Sequence, residues 1–188
     1  HAIIASGGDV VGLYDGDYFR VYDSATGSFD YTSADDNYRS ASIAAGDGVL
    51  GLYDGDYFRV YDRDHGGFDY TSADDNYDGY AMGAQGKLVA LYDGDYFRIY
   101  NGTSGGFDYT SADDNFVDAR LNVGSELASL YDGDYFRVYD LGRNSFDYTS
   151  ADDNFSNART GAYGNIAALY DGDYFRVYDG QAGSFEYT

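Results

Sequence analysis

Apolar and polar positions follow each other in short bursts along the chain. In the first, Asp9–Tyr14 reads DVVGLY, Asp15-Gly16 interrupts, and Asp17–Asp23 resumes as DYFRVYD. Short runs rich in Val, Tyr and Phe favour strands, because branched and aromatic side chains fit a pleated surface. Asp-Gly between two such runs predicts a two-residue hairpin, since a type I′ turn needs positive φ at both central residues. In that register Tyr14 lies opposite Asp17, Leu13 opposite Tyr18, Gly12 opposite Phe19 and Val11 opposite Arg20. One face then carries Val11, Leu13, Tyr18, Arg20 and Tyr22, the other Val10, Tyr14, Phe19 and Val21. Neither face is polar, so the sheet is expected to be covered on both sides by other sheets.

Two further strands complete the unit. GSFDYT at Gly27–Thr32 follows a glycine-containing loop, and a short stretch at Ala2–Ala5, rich in Ala and Gly in its later copies, precedes the hairpin. The strands are expected at about 2–6, 9–14, 17–23 and 28–32. The whole pattern recurs every 39 residues: LYDGDYFR begins at Leu13, Leu52, Leu91, Leu130 and Leu169, and FDYTSADDN at Phe29, Phe68, Phe107 and Phe146. Four antiparallel strands per repeat, five times over, predict an all-β fold, a five-bladed β-propeller of 39-residue repeats. A β-solenoid or open stack of hairpins is the main competitor. A barrel would need about twenty strands, more than a compact barrel of this size uses. A single domain over 1–188 is expected, with blades at about 1–32, 40–71, 79–110, 118–149 and 157–188 and linkers at 33–39, 72–78, 111–117 and 150–156. Five full repeats would run seven residues beyond the 188 present, the length of one linker. The ring is therefore expected to close by packing between the last blade and the first.

Because strands alternate in direction, the hairpin turns and the inter-blade linkers emerge on one side of the disc. The constant loops all belong to that side, and the loops that vary between copies belong to the other. The candidate ligand-binding residues are Asp15, Asp17, Asp35, Asp36 and Asn37, with Asp54, Asp56, Asp74, Asp75 and Asn76 in the second copy. Asp93, Asp95, Asp113, Asp114 and Asn115 follow, then Asp132, Asp134, Asp152, Asp153 and Asn154, and finally Asp171 and Asp173. Turn chemistry alone accounts for Asp15, Gly16 and Asp35, because Asp and Asn close Asx-turns and Gly supplies the required φ. It does not require the consecutive Asp35-Asp36 pair, and crowded carboxylates are unfavourable unless neutralised or screened. Hard oxygens of this kind suit Ca²⁺ at Asp35, Asp36, Asp74, Asp75, Asp113, Asp114, Asp152 and Asp153. Asp and Asn beside Tyr equally suit sugar hydroxyls, with a ring stacking on the sugar's apolar face. As the linker occurs in full only four times, four complete sites are expected, with the two turn aspartates exposed.

Tyr14, Tyr18, Tyr22 and Tyr31 recur in every unit, twenty of the 24 tyrosines, and are expected mainly to pack blades together. Arg20 and its copies Arg59, Arg98, Arg137 and Arg176 sit between Phe and Val, where stacking on tyrosine and pairing with an Asp would make them structural inter-blade bridges.

Charge narrows the partners. The 33 acidic and 11 basic residues give a formal charge of −22, which excludes the basic patch that nucleic acid or an anionic membrane requires. With no cysteine and only His1 and His65 as histidines, thiolate chemistry and a repeated histidine site are excluded; copper at His1 would need His65 from another blade. Lys87 is the only lysine, and nothing in the sequence explains this. No run approaches 18 apolar residues, so no membrane insertion is expected. An opening His rather than Met points to a removed leader or a piece of a longer array, and so to a secreted or cell-surface protein. A catalytic carboxylate pair needs two different environments around one substrate, and equal copies supply none, so no enzyme is expected.

The architecture resembles that of five-bladed propeller lectins in shape alone, since tryptophans and WD-type or Asp-box signatures are absent. The expected function is multivalent, lectin-like carbohydrate or polar-ligand binding through the acidic face. The alternative is a structural repeat of a matrix, filament or surface layer that meets neighbouring subunits with the help of Ca²⁺.

Overall fold

The computed structural model describes residues 2–36, 38–75, 77–152 and 155–188. Among the described residues, twenty strands form five separate four-stranded antiparallel sheets, each in simple sequence order. Blade 1 holds β1 (Ile3–Gly7), β2 (Val10–Tyr14), β3 (Tyr18–Asp23) and β4 (Ser28–Ser33). Blade 2 holds β5 (Ser42–Ala45), β6 (Val49–Tyr53), β7 (Tyr57–Asp62) and β8 (Gly67–Ser72). Blade 3 holds β9 (Ala81–Gln85), β10 (Leu88–Tyr92), β11 (Tyr96–Asn101) and β12 (Gly106–Ser111). Blade 4 holds β13 (Arg120–Val123), β14 (Leu127–Tyr131), β15 (Tyr135–Asp140) and β16 (Ser145–Ser150). Blade 5 holds β17 (Arg159–Tyr163), β18 (Ile166–Tyr170), β19 (Phe175–Asp179) and β20 (Ser184–Tyr187). The protein is an all-β assembly of five propeller blades.

The two faces of the central hairpin carry the residues the alternation assigns to them, and each face packs on a different neighbour. Val10, Tyr14, Phe19 and Val21 of blade 1 bury against Leu50, Leu52 and Tyr61 of blade 2. The opposite face of blade 2, Val49, Tyr53, Phe58 and Val60, meets Val89, Leu91 and Tyr100 of blade 3. The same pairing joins blade 3 to blade 4 and blade 4 to blade 5. A fully buried Phe or Leu contributes about 1.5–3 kcal/mol over its exposed form, so these junctions, rather than any single blade, hold the fold together.

The hairpin register differs from the expected one by two. Tyr14 pairs with Phe19, Leu13 with Arg20, Gly12 with Val21 and Val11 with Tyr22. The turn centres on Gly16-Asp17 instead of Asp15-Gly16, and positive φ is confined to Gly16 at 105°. The cause is the Asp15 carboxylate, whose Oδ1 accepts the Tyr18 N–H at 2.9 Å and the Asp17 N–H at 3.2 Å in place of a main-chain carbonyl. A slip of two preserves the facing of every side chain, which is why the faces are as expected although the partners are not.

Ring closure is also corrected: the blades form an open arc. Among the described residues no buried cluster joins blade 5 to blade 1, and Val11 and Phe175 on the facing sides are 42% and 49% exposed. The Ile43 and Met82 side chains of the first strands pack against Gly12 and Gly51 on the second strands of the preceding blades.

Candidate functional site

The constant side of the arc is built on the first aspartate of each hairpin turn. Asp54, Asp93, Asp132 and Asp171 are fully buried, a correction to the expectation that both turn aspartates are exposed. Burial is tolerated because each carboxylate is saturated. Asp54 Oδ2 accepts from Arg59 Nε at 2.5 Å and from the Asp35 N–H at 2.9 Å, while Oδ1 accepts the Tyr57 N–H at 2.9 Å. Asp93, Asp132 and Asp171 are held by Arg98, Arg137 and Arg176 and by the Asp74, Asp113 and Asp152 N–H groups. The arginine pair therefore lies within a blade, and the carboxylate, not the arginine, is the link to the preceding blade. At Asp171 burial raises the carboxyl pKa, but Arg176 and two backbone N–H groups outweigh it and leave the group below its ordinary value. In blade 1, Asp15 and Arg20 keep 29% and 42% of their side-chain surface exposed. Asp15 is nevertheless held below the ordinary carboxylate value, chiefly by Arg20.

The linkers are clamped from both sides. The Tyr53 hydroxyl donates to the Asp74 carbonyl at 2.9 Å and accepts the Tyr77 N–H at 3.0 Å, and Tyr14, Tyr92 and Tyr131 treat their own linkers alike. Gly94 has φ 105°, and a Cβ there would lie 2.9 Å from Asn115 Oδ1 and 3.2 Å from Asp74 Oδ2, so turn and linkers touch where only glycine fits.

Each junction thereby gathers carboxylates from two blades. Asp74 meets Asp93 and Asp95, and Asp113 meets Asp132 and Asp134; burial and then these neighbours push both carboxyls above their ordinary value. Asp56 is raised by burial and then by Asp35, Asp75 and Asp54. Asp152 supplies the same element before Asp171 and Asp173. Four such junctions exist, each combining the linker of one blade with the turn of the next. Asp17, Asp173, Asp36, Asp75 and Asp114 are exposed, whereas Asp35, Asp95, Asp134 and Asp152 are half-buried. Asn115 is exposed at φ 56° and donates its N–H to the Gly94 carbonyl at 2.8 Å. Asn37, Asn76, Asp153 and Asn154 lie outside the described residues, as does His1. Among the described residues no three acidic or histidine side chains converge in a metal-holding arrangement.

The sequence matches no protein-family model and no curated protein. Its fold is similar to solved structures of much lower sequence likeness. Citrobacter koseri AztD matches at a TM-score of 0.53 and 10% identity, over 99% of this chain and 58% of that one. PorZ, a surface component of the type-IX secretion system of Porphyromonas gingivalis, matches at 0.50 and 12% identity, over 98% of this chain and 25% of that one. The chain thus spans between a quarter and three-fifths of the length of these structures, and the likeness is one of fold.

A feature the sequence reading passed over lies at the rim. Tyr31, Tyr70, Tyr109, Tyr148 and Tyr187, on the outermost strand of each blade, are 61–67% exposed rather than packed between blades. Each stands edge-on to a second tyrosine, as Tyr57 does to Tyr70 with centroids 5.5 Å apart. The Arg59 guanidinium lies 4.6 Å from the Tyr57 ring centroid and 5.8 Å from that of Tyr70. The available signal was positional: in FDYT the tyrosine shares a face with Arg59 but sits on an edge strand, beyond the reach of the neighbouring blade.

Proposed function

We propose that the protein is a non-catalytic, multivalent binder of polar ligands, carbohydrate foremost, through the four junctions on its constant side. The observation that carries this reading is the repeated adjacency of an exposed rim tyrosine, paired edge-on with a second tyrosine that stacks on arginine, to a turn whose carboxylates are crowded by the preceding linker. A tyrosine ring offers an apolar surface for a sugar face, and carboxylates held close together accept hydroxyl hydrogens or attract a cation. Each such contact is weak, and four on one arc gain by avidity when a ligand presents repeated units. A secreted or surface location suits such an array.

The test is binding to immobilised glycans, with calcium and with chelator, for the wild type and two variants. Replacing Tyr70, Tyr109 and Tyr148 by Ala removes the rings, and Asp75→Asn with Asp114→Asn removes exposed charge without touching a buried pair. Both variants are expected to weaken multivalent binding, the aspartate variant at the wild-type melting temperature and the tyrosine variant with a lowered one, since it gives up three ring pairs worth about 0.5–1.5 kcal/mol each, while both stay folded at the assay temperature. Wild-type protein that binds no glycan in either condition refutes the carbohydrate reading, and calcium-dependent polymerisation in its place favours a structural role.

A further inference from the structure

The loops that differ between copies hold the only lysine of the sequence, and the structure gives Lys87 a companion. Lys87 lies in the β9–β10 turn of blade 3 and Arg63 in the β7–β8 loop of blade 2. Both reach over Gly48 in the β5–β6 turn: a Cβ there would lie 3.2 Å from Arg63 Nη2 and 3.4 Å from Lys87 Nζ. Glycine keeps that space clear, so two cations from different blades face one gap. The loops that carry them are tied in advance. The Arg63 N–H donates to the Gly48 carbonyl at 3.1 Å and the Asp47 N–H to the Gly86 carbonyl at 2.6 Å, which leaves little to order when a ligand enters. Both cations also have donors to spare. A guanidinium carries five N–H donors and an ammonium three. The Nε of Arg63 is buried without a hydrogen-bond partner among the described residues, because Asp23 Oδ2, 3.1 Å away, lies off its N–H direction. Asp9 Oδ2 stands 3.5 Å from Nη1, and Lys87 meets one exposed carboxylate, Asp64, at 2.6 Å. Around the pair opens a cleft of about 340 Å³, rimmed by Asp9, Asp47 and Asp64. That is the small end of the range for ligand sites, the scale of a single sugar residue.

We propose that this cleft binds a carboxylate-bearing sugar residue, a hexuronate, with its carboxylate between Arg63 and Lys87 and its hydroxyls donating to Asp9 and Asp47. A planar carboxylate matches the edge of a guanidinium and brings a single negative charge. The three rim carboxylates repel a dianion such as phosphate more strongly, and they accept the hydroxyl hydrogens that a simple carboxylic acid lacks. A neutral sugar leaves the spare donors of Arg63 and Lys87 unused. The site stands on the opposite side of the blades from the four acidic junctions and is independent of them.

The experiment is an NMR titration of the ¹⁵N-labelled chain with D-glucuronate, set beside D-glucose, acetate and inorganic phosphate. Glucuronate is expected to shift the Gly48 and Lys87 amide signals with a dissociation constant on the order of 1 mM, and each of the other three to bind at least about tenfold more weakly. Two substitutions at the exposed pair are expected to act in opposite directions. Lys87→Met keeps the aliphatic stem, removes the charge and weakens glucuronate about tenfold, whereas Asp64→Asn removes the competing carboxylate and tightens it. Unchanged amide signals away from the cleft show that both variants are folded. Glucuronate that leaves the Gly48 signal in place at about 20 mM overturns the proposal without reference to any variant. Acetate or phosphate binding as tightly as glucuronate overturns the sugar assignment, and wild-type affinity in Lys87→Met overturns the place given to the carboxylate.

Discussion

Asp15 and Asp93 occupy the same place in identical LYDGDYFR segments, yet replacing each by Asn is expected to have very different consequences. Asp93 is fully buried and accepts from the Tyr96 N–H at 2.9 Å, the Asp74 N–H at 3.1 Å and the Arg98 guanidinium. An Asn amide keeps one acceptor oxygen, so one donor faces an NH₂ group and Arg98 loses its countercharge. Breaking a buried pair from one side costs about 3–5 kcal/mol, and the retained carbonyl places Asp93→Asn near the lower end, about 3–4 kcal/mol. For a chain of this length that corresponds to a fall in melting temperature of roughly 6–16 °C. At Asp15 water already reaches both partners, Arg20 being 42% exposed, and among the described residues no linker N–H reaches the carboxylate, so Asp15→Asn is expected to cost about 0.5–1 kcal/mol after solvent screening. Urea denaturation of the two variants followed by circular dichroism makes the comparison. Equal losses at the two positions would refute the argument that the linker and burial, rather than the turn itself, give this carboxylate its weight.

Two further outcomes follow from the junctions. Tyr100→Phe removes the hydroxyl that donates to buried Asp62 and is expected to cost about 1–3 kcal/mol, while Tyr22→Phe at the open end is expected to be near neutral; similar losses in thermal melts would contradict the inter-blade role of this bond. Stability is expected to peak on the acidic side of neutrality: Asp56, Asp74 and Asp113 have carboxyls raised above 3.8, so the folded state holds protons the unfolded chain releases and stability rises as pH falls towards that value. Below 3.8 the sign reverses, because Asp15 and Asp171 are held low and lose their arginine pairs on protonation. A melting temperature that declines steadily from pH 7 downward would contradict the crowding of carboxylates at the junctions.

The blades were legible in the sequence because period-two alternation and a constant 39-residue repeat act at short range, where composition decides the outcome. Two features were not. Asp-Gly is a turn signal in any context, and only the arginine five residues later shows that the Asp15 carboxylate turns inward, moving the turn by one residue and the register by two. Openness depends on the angle at which whole blade faces pack on one another, which repeat length does not encode. The acidic loops were placed on the correct side by strand direction alone, but the alternation could not show that the first turn aspartate is internal while the tyrosine of FDYT is external. That distinction depends on which strand forms the edge of the blade and on how deeply the next blade overlaps it.

An open arc places no ceiling on the number of its units. In a closed ring, gaining or losing a blade changes the angle at every junction at once. Here, duplication or deletion of one 39-residue segment leaves both end surfaces as they were and changes the tally of clasped linkers by one. Copy number is thus a tunable parameter.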